Sequence, residues 1–288
     1  MYDVISIGEL LIDFAPDGTA NPGGAPCNFL AAARKYGASS CFIGKVGDDF
    51  YGKMLKETLV NAGVGIDGLI CDPNHETTKA FVKLDDKGDR SFSFIRDADT
   101  ALEEKEIKYD LIDFCKIFHF AGSLSLTDDP CKSTLKNAVL YAKKAGKLIS
   151  FDPNLRVPLW NGDLQRAKQE LLWALNIADI VKISEEEYEF LDRPNFEQNK
   201  LVMLTSGAKG AIVQNQNARI QVFCPKVNVK DTTGAGDIFA GAAVAKLLEL
   251  KKDPSNLTKS ELEIIGEFAC LKASLSTEKM GAIPSIPD

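Results

Sequence analysis

The 288-residue sequence contains no run of about 18 apolar residues, so it predicts no transmembrane helix. Its first residues lack the charged start, apolar stretch and small-residue cleavage site of a signal peptide. We therefore expect a cytoplasmic protein with no membrane partner. The net charge of −7 also argues against nucleic acid as a partner, because an acidic surface repels the phosphate backbone.

The sequence has few residues suited to metal or redox chemistry. Its two histidines are His75 and His119, and His119 lies in a strand-like apolar segment, which favours a buried sheet histidine. The seven cysteines contain no Cys-x-x-Cys pair, and their spacings suggest neither a disulfide framework nor a zinc site. These patterns disfavour a zinc protein and a histidine-dependent hydrolase.

Two common nucleotide-binding motifs are absent or misplaced. No Gly-x-x-x-x-Gly-Lys-Ser/Thr P-loop occurs, so a nucleotide would have to be bound in another way. Residues 63–68 match Gly-x-Gly-x-x-Gly, but they follow a helical pattern and precede a strand-like one. A dinucleotide-binding fingerprint requires the opposite order, which disfavours a nicotinamide-dependent oxidoreductase.

Strand-like and helix-like segments alternate along most of the chain. Strands are predicted at residues 4–14, 41–46, 116–121, 148–152, 179–183 and 201–205. Helices are predicted at residues 28–36, 51–61, 132–145, 164–177 and 185–191. This order predicts the α/β class, with a doubly wound, mainly parallel sheet flanked by helices.

One stretch breaks the alternation. Residues 79–84 and 90–95 read as short strands joined by a polar, glycine-containing turn at 85–89, which predicts a β-hairpin. We expect one domain over residues 1–288, with a small β lid formed from about residues 12–22 and 77–98. Such a lid could also form the interface of a homodimer.

The strongest chemical signal is Asp-Thr-Thr-Gly-Ala-Gly-Asp at residues 231–237, followed directly by a helical pattern. Gly234, Ala235 and Gly236 would then lie at a helix N-terminus, where backbone N–H groups and the helix dipole form an anion site. Asp237 would be a catalytic base, kept ionised and weakly basic by the helix end. A merely capped helix explains one acid and one glycine but not the whole run.

This run resembles the C-terminal signature of the ribokinase (PfkB-type) carbohydrate kinases. Residues 22–28, Pro-Gly-Gly-Ala-Pro-Cys-Asn, resemble the N-terminal sugar-binding signature of the same family. Residues 46–52, 151–156 and 204–210 match further family segments in the same order, so the resemblance covers essentially the whole chain. The Gly-Gly-Ala-Pro-Cys-Asn and Asp-Pro-Asn-Leu-Arg runs are most similar to the fructokinase branch. The resemblance implies a ribokinase-like fold.

The resemblance also implies four sets of contacts. Sugar contacts are expected from Asp13, Gly24, Asn28, Arg96 and Arg156, although Arg156 could instead form a surface salt bridge. Nucleotide contacts are expected from Lys182, Ser184, Thr205, Gly207 and Gly210. Glu187 is expected to reach Mg²⁺ through water. A monovalent cation, K⁺, would be bound by Asp231, Thr233, Ser276, Gly281 and Ser285.

The sequence thus predicts transfer of the γ-phosphoryl group of ATP to a hydroxymethyl group of a small sugar, with fructose favoured. The Asp152-x-Asn154-x-Arg156 pattern also fits a 2-keto-3-deoxygluconate kinase, whose acidic sugar would need an additional cationic contact. A non-catalytic sensor of sugar or nucleotide is the alternative from another class. Segments 14–22 and 192–200 are shorter than in most fructokinase-like relatives, so an abbreviated lid is expected.

Overall fold

The computed structural model describes residues 1–84, 90–196 and 199–288. The described residues form one large sheet covered by helices and one smaller sheet. The turn predicted at residues 85–89 lies outside the described residues, as do two positions of segment 192–200.

The large sheet is mainly parallel, as the alternating pattern predicts. Its strands are β1 (Val4–Ile7), β4 (Ser40–Gly47), β5 (Gly65–Asp72), β8 (Ile117–Ala121), β9 (Leu148–Asp152), β10 (Ile180–Ser184), β11 (Leu201–Thr205), β12 (Ala211–Gln214) and β13 (Arg219–Val222). Their spatial order is β13-β12-β11-β10-β9-β8-β1-β4-β5. Pairing is parallel from β11 to β5 and antiparallel at β12 and β13. Parallel neighbours need crossover connections, which places helices on both faces.

The helices cover two separate apolar layers, one on each face of the sheet. They are α1 (Ala25–Lys35), α2 (Phe50–Asn61), α3 (Tyr109–Asp113), α4 (Ser123–Thr127), α5 (Cys131–Lys144), α6 (Leu164–Ile177), α7 (Glu185–Phe190), α8 (Ala235–Leu250) and α9 (Lys259–Ser276). Helices α1, α2, α8 and α9 bury side chains in one layer, and α5 and α6 do so in the other. None of the described helices is both long and apolar enough to cross a membrane.

The prediction of a single strand over residues 4–14 is wrong. The chain leaves the large sheet after β1 and re-enters regular structure as β2 (Leu11–Phe14), the start of the smaller sheet. The break falls at Gly8, where a Cβ would lie 2.8 Å from Pro26 Cγ, so the backbone passes close to α1. Both halves are apolar and buried, which is why hydropathy alone does not reveal the break.

The smaller sheet consists of β2, β3 (Ala20–Gly23), β6 (Lys79–Leu84) and β7 (Arg90–Ile95), in the order β3-β2-β6-β7. Its strands arise from the two segments predicted for the lid. Strand β3 overlaps the end of segment 14–22, which was expected to be short, and it pairs with β2 antiparallel. The described residues of the hairpin β6 and β7 pair antiparallel, as the alternating pattern predicts.

His119 is a buried sheet histidine, as predicted. Its ring stacks on Phe29 with 3.7 Å between centroids, and Nδ1 lies 2.9 Å from Ser150 Oγ. Burial, with a smaller effect of the Lys182 charge, lowers the pKa of His119 to about 3. The ring is therefore neutral at physiological pH.

Candidate active site

The candidate site lies where the carboxyl ends of the parallel strands meet the start of α8. Open α/β sheets bind ligands at this edge, because loops and helix N-termini converge there. The loop after β9 carries Arg156, β10 ends at Ser184, and β11 ends at Thr205. Helix α1 brings Asn28 to the same place, and the smaller sheet brings Asp13.

The predicted anion hole begins at a glycine with left-handed backbone. Gly234 is the N-cap of α8 with φ 73° and ψ 0°, and a Cβ there would lie 2.5 Å from Ala282 Cβ. Ala235 and Gly236 form the first turn, where the helix itself offers their N–H groups no carbonyl one turn earlier. The Ala235 N–H donates instead to the Thr232 carbonyl, outside the helix, at 3.2 Å. A Cβ on Gly236 would lie 3.0 Å from Lys182 Nζ, so an ammonium group stands beside these amides. Amides and ammonium together favour a bound anion.

Asp237 follows in the same turn and is held by a side chain from α1. Asn28 Nδ2 donates a hydrogen bond of 2.8 Å to Asp237 Oδ2. Burial raises the pKa of Asp237 above its ordinary value, while the Asn28 bond and the charges of Lys182 and Arg156 lower it. Burial outweighs the Asn28 bond and the two cationic charges, so the carboxylate is more basic than the helix start alone leads one to expect. The result is a stronger base than an exposed aspartate.

Asn28 thus contacts Asp237, a relationship that the sequence did not suggest. Its amide oxygen is buried and has no hydrogen-bond partner among the described residues. Because Asn28 Nδ2 donates to Asp237, the Asn28 amide oxygen is the atom that can accept a hydrogen bond from a substrate hydroxyl. The predicted sugar contact of Asn28 is thereby narrowed from the whole amide group to its oxygen.

Asp13 lies on β2 and faces the site from the smaller sheet. Burial raises the pKa of Asp13 to about 6, and the Arg156 charge opposes this rise. A Cβ on Gly23 would lie 2.1 Å from Asp13 Oδ2, so only glycine leaves room for this carboxylate. Gly24 has φ 118°, and a Cβ there would lie 2.7 Å from the Glu9 carbonyl oxygen. The paired glycines of the N-terminal motif therefore shape the backbone around Asp13.

The two predicted arginines occupy different settings. Arg96 is largely buried in an ion cluster. Its Nε and Nη2 donate to Asp99 Oδ2 at 3.0 and 2.5 Å, and Nη1 donates to Asp128 Oδ2 at 3.0 Å and to Thr127 Oγ1. It also borders a cavity of about 410 Å³ between β7 and residues 158–161. Arg156 is exposed, and its charge lowers the pKa of both Asp13 and Asp237. The charge of Arg156 therefore acts on the base, whereas the hydrogen bonds of Arg96 join the end of β7 to the end of α4.

On the opposite side, Ser184 and Glu187 form a capping box that starts α7. Ser184 Oγ accepts from the Glu187 N–H at 3.2 Å, and Glu187 Oε2 accepts from the Ser184 N–H at 2.8 Å. Glu187 Oε1 accepts from the Leu155 N–H at 2.8 Å. Both carboxylate oxygens therefore bind backbone amides and retain lone pairs for water. The Ser184 hydroxyl caps the N-terminus of α7.

Thr205, Gly207 and Gly210 lie at the turn between β11 and β12. Thr205 Oγ1 donates a long bond of 3.4 Å to the Ile183 carbonyl. Gly207 has φ 55°, and a Cβ on Gly210 would lie 2.0 Å from the Val222 carbonyl oxygen. These glycines permit a tight turn against β13, beside the carboxyl edge of the sheet.

The predicted cation loop is partly assembled around one carboxylate. Asp231 Oδ1 accepts from Thr233 N and Oγ1 at 3.0 and 2.6 Å, and Oδ2 accepts from the Gly281 N–H at 2.9 Å. The hydroxyls of Ser276 and Ser285 each donate to a carbonyl three residues earlier. In the part of the chain that is described, no three or more His, Cys, Asp or Glu residues cluster to hold a metal. A cation in this loop would have to rely on hydroxyl and carbonyl oxygens.

Two buried acids beside the site were missed as site residues. Asp152 Oδ2 lies 3.0 Å from Lys182 Nζ, and burial raises the pKa of Asp152 to about 6 against the lowering effect of that ammonium. Glu9 accepts from the Ala25 N–H at 3.2 Å, and burial raises its pKa to about 7. An acid at the end of an apolar parallel strand was the available signal for Asp152.

Comparison with known proteins agrees with this geometry. The sequence model of the pfkB family carbohydrate kinases matches residues 1–288 of the chain. The chain is 40% identical over 310 residues to Fructokinase-2 of Oryza sativa subsp. japonica, covering 99% of this chain and 90% of the relative. Fructokinase of Xylella fastidiosa with bound ATP has a TM-score of 0.89 and 28% identity, covering 100% of this chain and 96% of that one. A double mutant of Vibrio cholerae O395 fructokinase, in fructose, ADP and potassium ion bound form, has a TM-score of 0.87 and 32% identity, covering 99% and 96%.

A carboxylate beside a glycine-rich helix start, on the carboxyl edge of a mainly parallel sheet, fits phosphoryl transfer to an alcohol. With the matches above, it places the chain among the phosphotransferases with an alcohol acceptor. The ribokinase-like fold is confirmed by its match to solved kinases of this type. The chain belongs to the pfkB family of carbohydrate kinases, and its enzyme class is that of a sugar kinase.

Proposed function

We propose that this kinase transfers the γ-phosphoryl group of ATP to a hydroxymethyl oxygen of fructose. The observation that carries the proposal is the position of Asp237, held by Asn28 in the first turn of α8. The fructokinases of rice and Vibrio cholerae, to which the chain is similar over nearly its full length, support the choice of sugar.

In the proposed reaction, Asp237 removes the proton of the acceptor hydroxyl as its oxygen attacks the γ-phosphorus. A new oxygen–phosphorus bond forms, the bond from the γ-phosphorus to the bridging oxygen breaks, and ADP leaves with that bond's electron pair. The raised pKa of Asp237 suits this role, because a moderately basic carboxylate accepts a proton more readily. The amides at Gly234, Ala235 and Gly236 stabilise the charge on the equatorial oxygens.

The remaining contacts are assigned by chemistry. Asp13 and the amide oxygen of Asn28 would accept sugar hydroxyls, and Arg156 would approach the transferred group or the sugar. Lys182, with the Thr205, Gly207 and Gly210 turn, would border the nucleotide. The small sheet of β2, β3, β6 and β7 would close over the sugar as a lid of a single domain. It could also pair two copies of the chain. A cytoplasmic location is part of the proposal.

The proposed reaction also uses two cations, Mg²⁺ and K⁺. Mg²⁺ would neutralise the phosphate oxygens of ATP, and Glu187 fits contact through water because both of its oxygens already accept backbone N–H bonds. K⁺ would be held by the hydroxyl and carbonyl oxygens of the loop built on Asp231, with Thr233, Ser276, Gly281 and Ser285. The potassium ion bound form of the Vibrio cholerae fructokinase supports the choice of potassium as the monovalent cation.

Two alternatives predict different results. A 2-keto-3-deoxygluconate kinase would need a cation for the acid group; of the two nominated arginines, Arg96 already binds two carboxylates. Arg96 is therefore the weaker of the two as a contact for an acid group. A non-catalytic sensor would be supported by loss of the base or the anion-hole glycines, and Asp237, Gly234 and Gly236 are all present.

A coupled assay of ADP release tests the proposal. ATP is supplied with fructose, glucose, ribose, 2-keto-3-deoxygluconate or adenosine, and Mg²⁺ and K⁺ are varied independently. We expect the highest kcat/KM with fructose, an absolute need for Mg²⁺ and activation by K⁺. A highest kcat/KM with 2-keto-3-deoxygluconate would replace the sugar in the proposal. The absence of stimulation by any sugar would contradict the kinase assignment.

A further inference from the structure

The ammonium group of Lys182 stands beside the helix turn that carries the base. Lys182 extends from β10, and its Nζ lies 3.0 Å from the position that a Cβ on Gly236 would take. Titratable groups from four elements face it: Asp152 at the end of β9, Glu187 on α7, Asp237 on α8 and His119 on β8. The first three are acids that attract the ammonium, and His119 is neutral. The position of the charge therefore depends on which acid binds it.

Asp152 is the acid that binds this ammonium directly. Its Oδ2 lies 3.0 Å from Lys182 Nζ, and both side chains are buried. Its other oxygen, Oδ1, accepts from the Asn154 N–H at 3.1 Å. One carboxylate thus fixes both the ammonium and the start of the loop that carries Arg156.

The pairing matters because lysine is a long, flexible point charge that takes its position from its partners. Without the Asp152 charge, the ammonium would turn toward the remaining acids, Asp237 and Glu187. An ion pair with Asp237 would lower the pKa of the base and occupy the oxygen that must receive the proton. The cation would also leave the Gly236 amide, where the transferred phosphoryl group is expected.

We propose that Asp152 is a positioning residue for phosphoryl transfer, which holds the Lys182 ammonium beside Gly236 and away from Asp237. This inference rests on the proposed kinase reaction. Asp152 acts through Lys182 and touches no reacting atom. Its effect should therefore fall on kcat, with little change in the KM of the sugar.

The test uses Asp152→Asn, Lys182→Met and the double variant. Asparagine keeps an oxygen for the Asn154 N–H while removing the charge that binds the ammonium. We expect Asp152→Asn to lower kcat at least about tenfold and to change the KM of fructose less than threefold. In the Lys182→Met background, the same substitution should change kcat less than twofold, because the group it positions is already gone.

A matched control separates positioning from lost stability. Asp72 and Lys45 form another largely buried pair, with 3.1 Å between Oδ2 and Nζ, on the edge strand β5 and its neighbour β4. Asp72→Asn should lower the melting temperature and leave kcat unchanged. An equal fall in kcat for Asp72→Asn and Asp152→Asn would overturn the proposal.

The outcomes also separate this inference from the proposed function. If wild-type protein releases ADP with a sugar but the two kcat losses multiply in the double variant, only the role of Asp152 is contradicted. If wild-type protein is inactive with every sugar, the proposed function and this inference both fail. Losses that do not multiply, with an unchanged sugar KM and an active Asp72→Asn control, support the inference.

Discussion

Asn28 Nδ2 donates to Asp237 Oδ2 across 2.8 Å, joining two residues that are 209 positions apart in the chain. The bond is possible because α1 packs against α8 in the same apolar layer. It connects the two sequence motifs that suggested a sugar kinase, one carrying an expected sugar contact and the other the base. The orientation and the basicity of Asp237 therefore both depend on α1.

Replacing Asn28 with alanine should shift the pH dependence of the reaction. The Asn28 bond lowers the pKa of Asp237, so its loss should raise that pKa. A base must be deprotonated to act, so the acid limb of kcat against pH should move to higher pH. We also expect kcat to fall about tenfold because the carboxylate is no longer oriented.

Asn215→Ala is a suitable control for this variant. Asn215 Nδ2 is also a half-buried amide donor, within 2.9 to 3.3 Å of the carbonyls of Pro254, Ser255 and Leu257, remote from the base. This control should lose stability and keep the wild-type acid limb. An unshifted acid limb in Asn28→Ala would show that Asn28 does not set the basicity of Asp237.

Alanine at Gly234 should disturb the anion hole through two separate effects. The left-handed backbone, with φ 73°, costs an alanine about 1 kcal/mol. The new Cβ would also lie 2.5 Å from Ala282 Cβ, which forces the start of α8 to move. We expect a large loss of kcat together with a lower free energy of unfolding.

Gly146→Ala provides the comparison for the backbone cost alone. Gly146 has φ 74°, nearly the same as Gly234, and a Cβ there meets nothing within 4 Å. Urea denaturation of both variants should show the greater loss of unfolding free energy at Gly234. Equal losses and an active Gly234→Ala enzyme would argue against a tightly built anion hole.

Glu9→Gln should change how stability depends on pH. Burial raises the pKa of Glu9 from 4.5 to about 7. Between these values the unfolded chain loses the proton while the folded chain keeps it, so wild-type stability should fall as pH rises through this window. Glutamine remains neutral and can keep bonds to the Ala25 N–H and the Ser125 hydroxyl.

Urea denaturation at pH 4.5, 6 and 8 measures this effect. The free energy of unfolding of Glu9→Gln, relative to wild type, should increase by about 3 kcal/mol between the lowest and highest pH. A constant difference would mean that Glu9 titrates normally in the folded protein.

Sequence patterns predicted the large sheet well because parallel strands are short apolar runs separated by amphipathic helices. The same property hid the break between β1 and β2, since both segments are buried and only the contact of Gly8 with Pro26 marks the turn. The antiparallel strands β12 and β13 were missed. No α-helix separates β11, β12 and β13, so these strands do not follow the alternation of strand and helix that predicts the rest of the sheet.

The active-site residues could be predicted where they belong to a distinctive local motif, as Gly234 and Asp237 do in the run at residues 231–237. Their interactions could not, because distances between distant segments are set by packing. The sequence predicts only a sugar contact for Asn28, and it places Asp152 in a family pattern without assigning it a role in the site. The basicity of Asp237 could not be predicted either, because desolvation depends on the surrounding fold, whereas a helix start can be seen in the local sequence.

The kcat of Asp237→Asn, measured beside wild type with ATP and fructose, tests the central claim most directly. Asparagine is similar in shape and its oxygen can still accept the Asn28 bond, so the melting temperature should be nearly unchanged. Because the variant has no carboxylate to take the proton, kcat should fall at least about 100-fold. A folded Asp237→Asn enzyme with near wild-type kcat would contradict the assignment of Asp237 as the base.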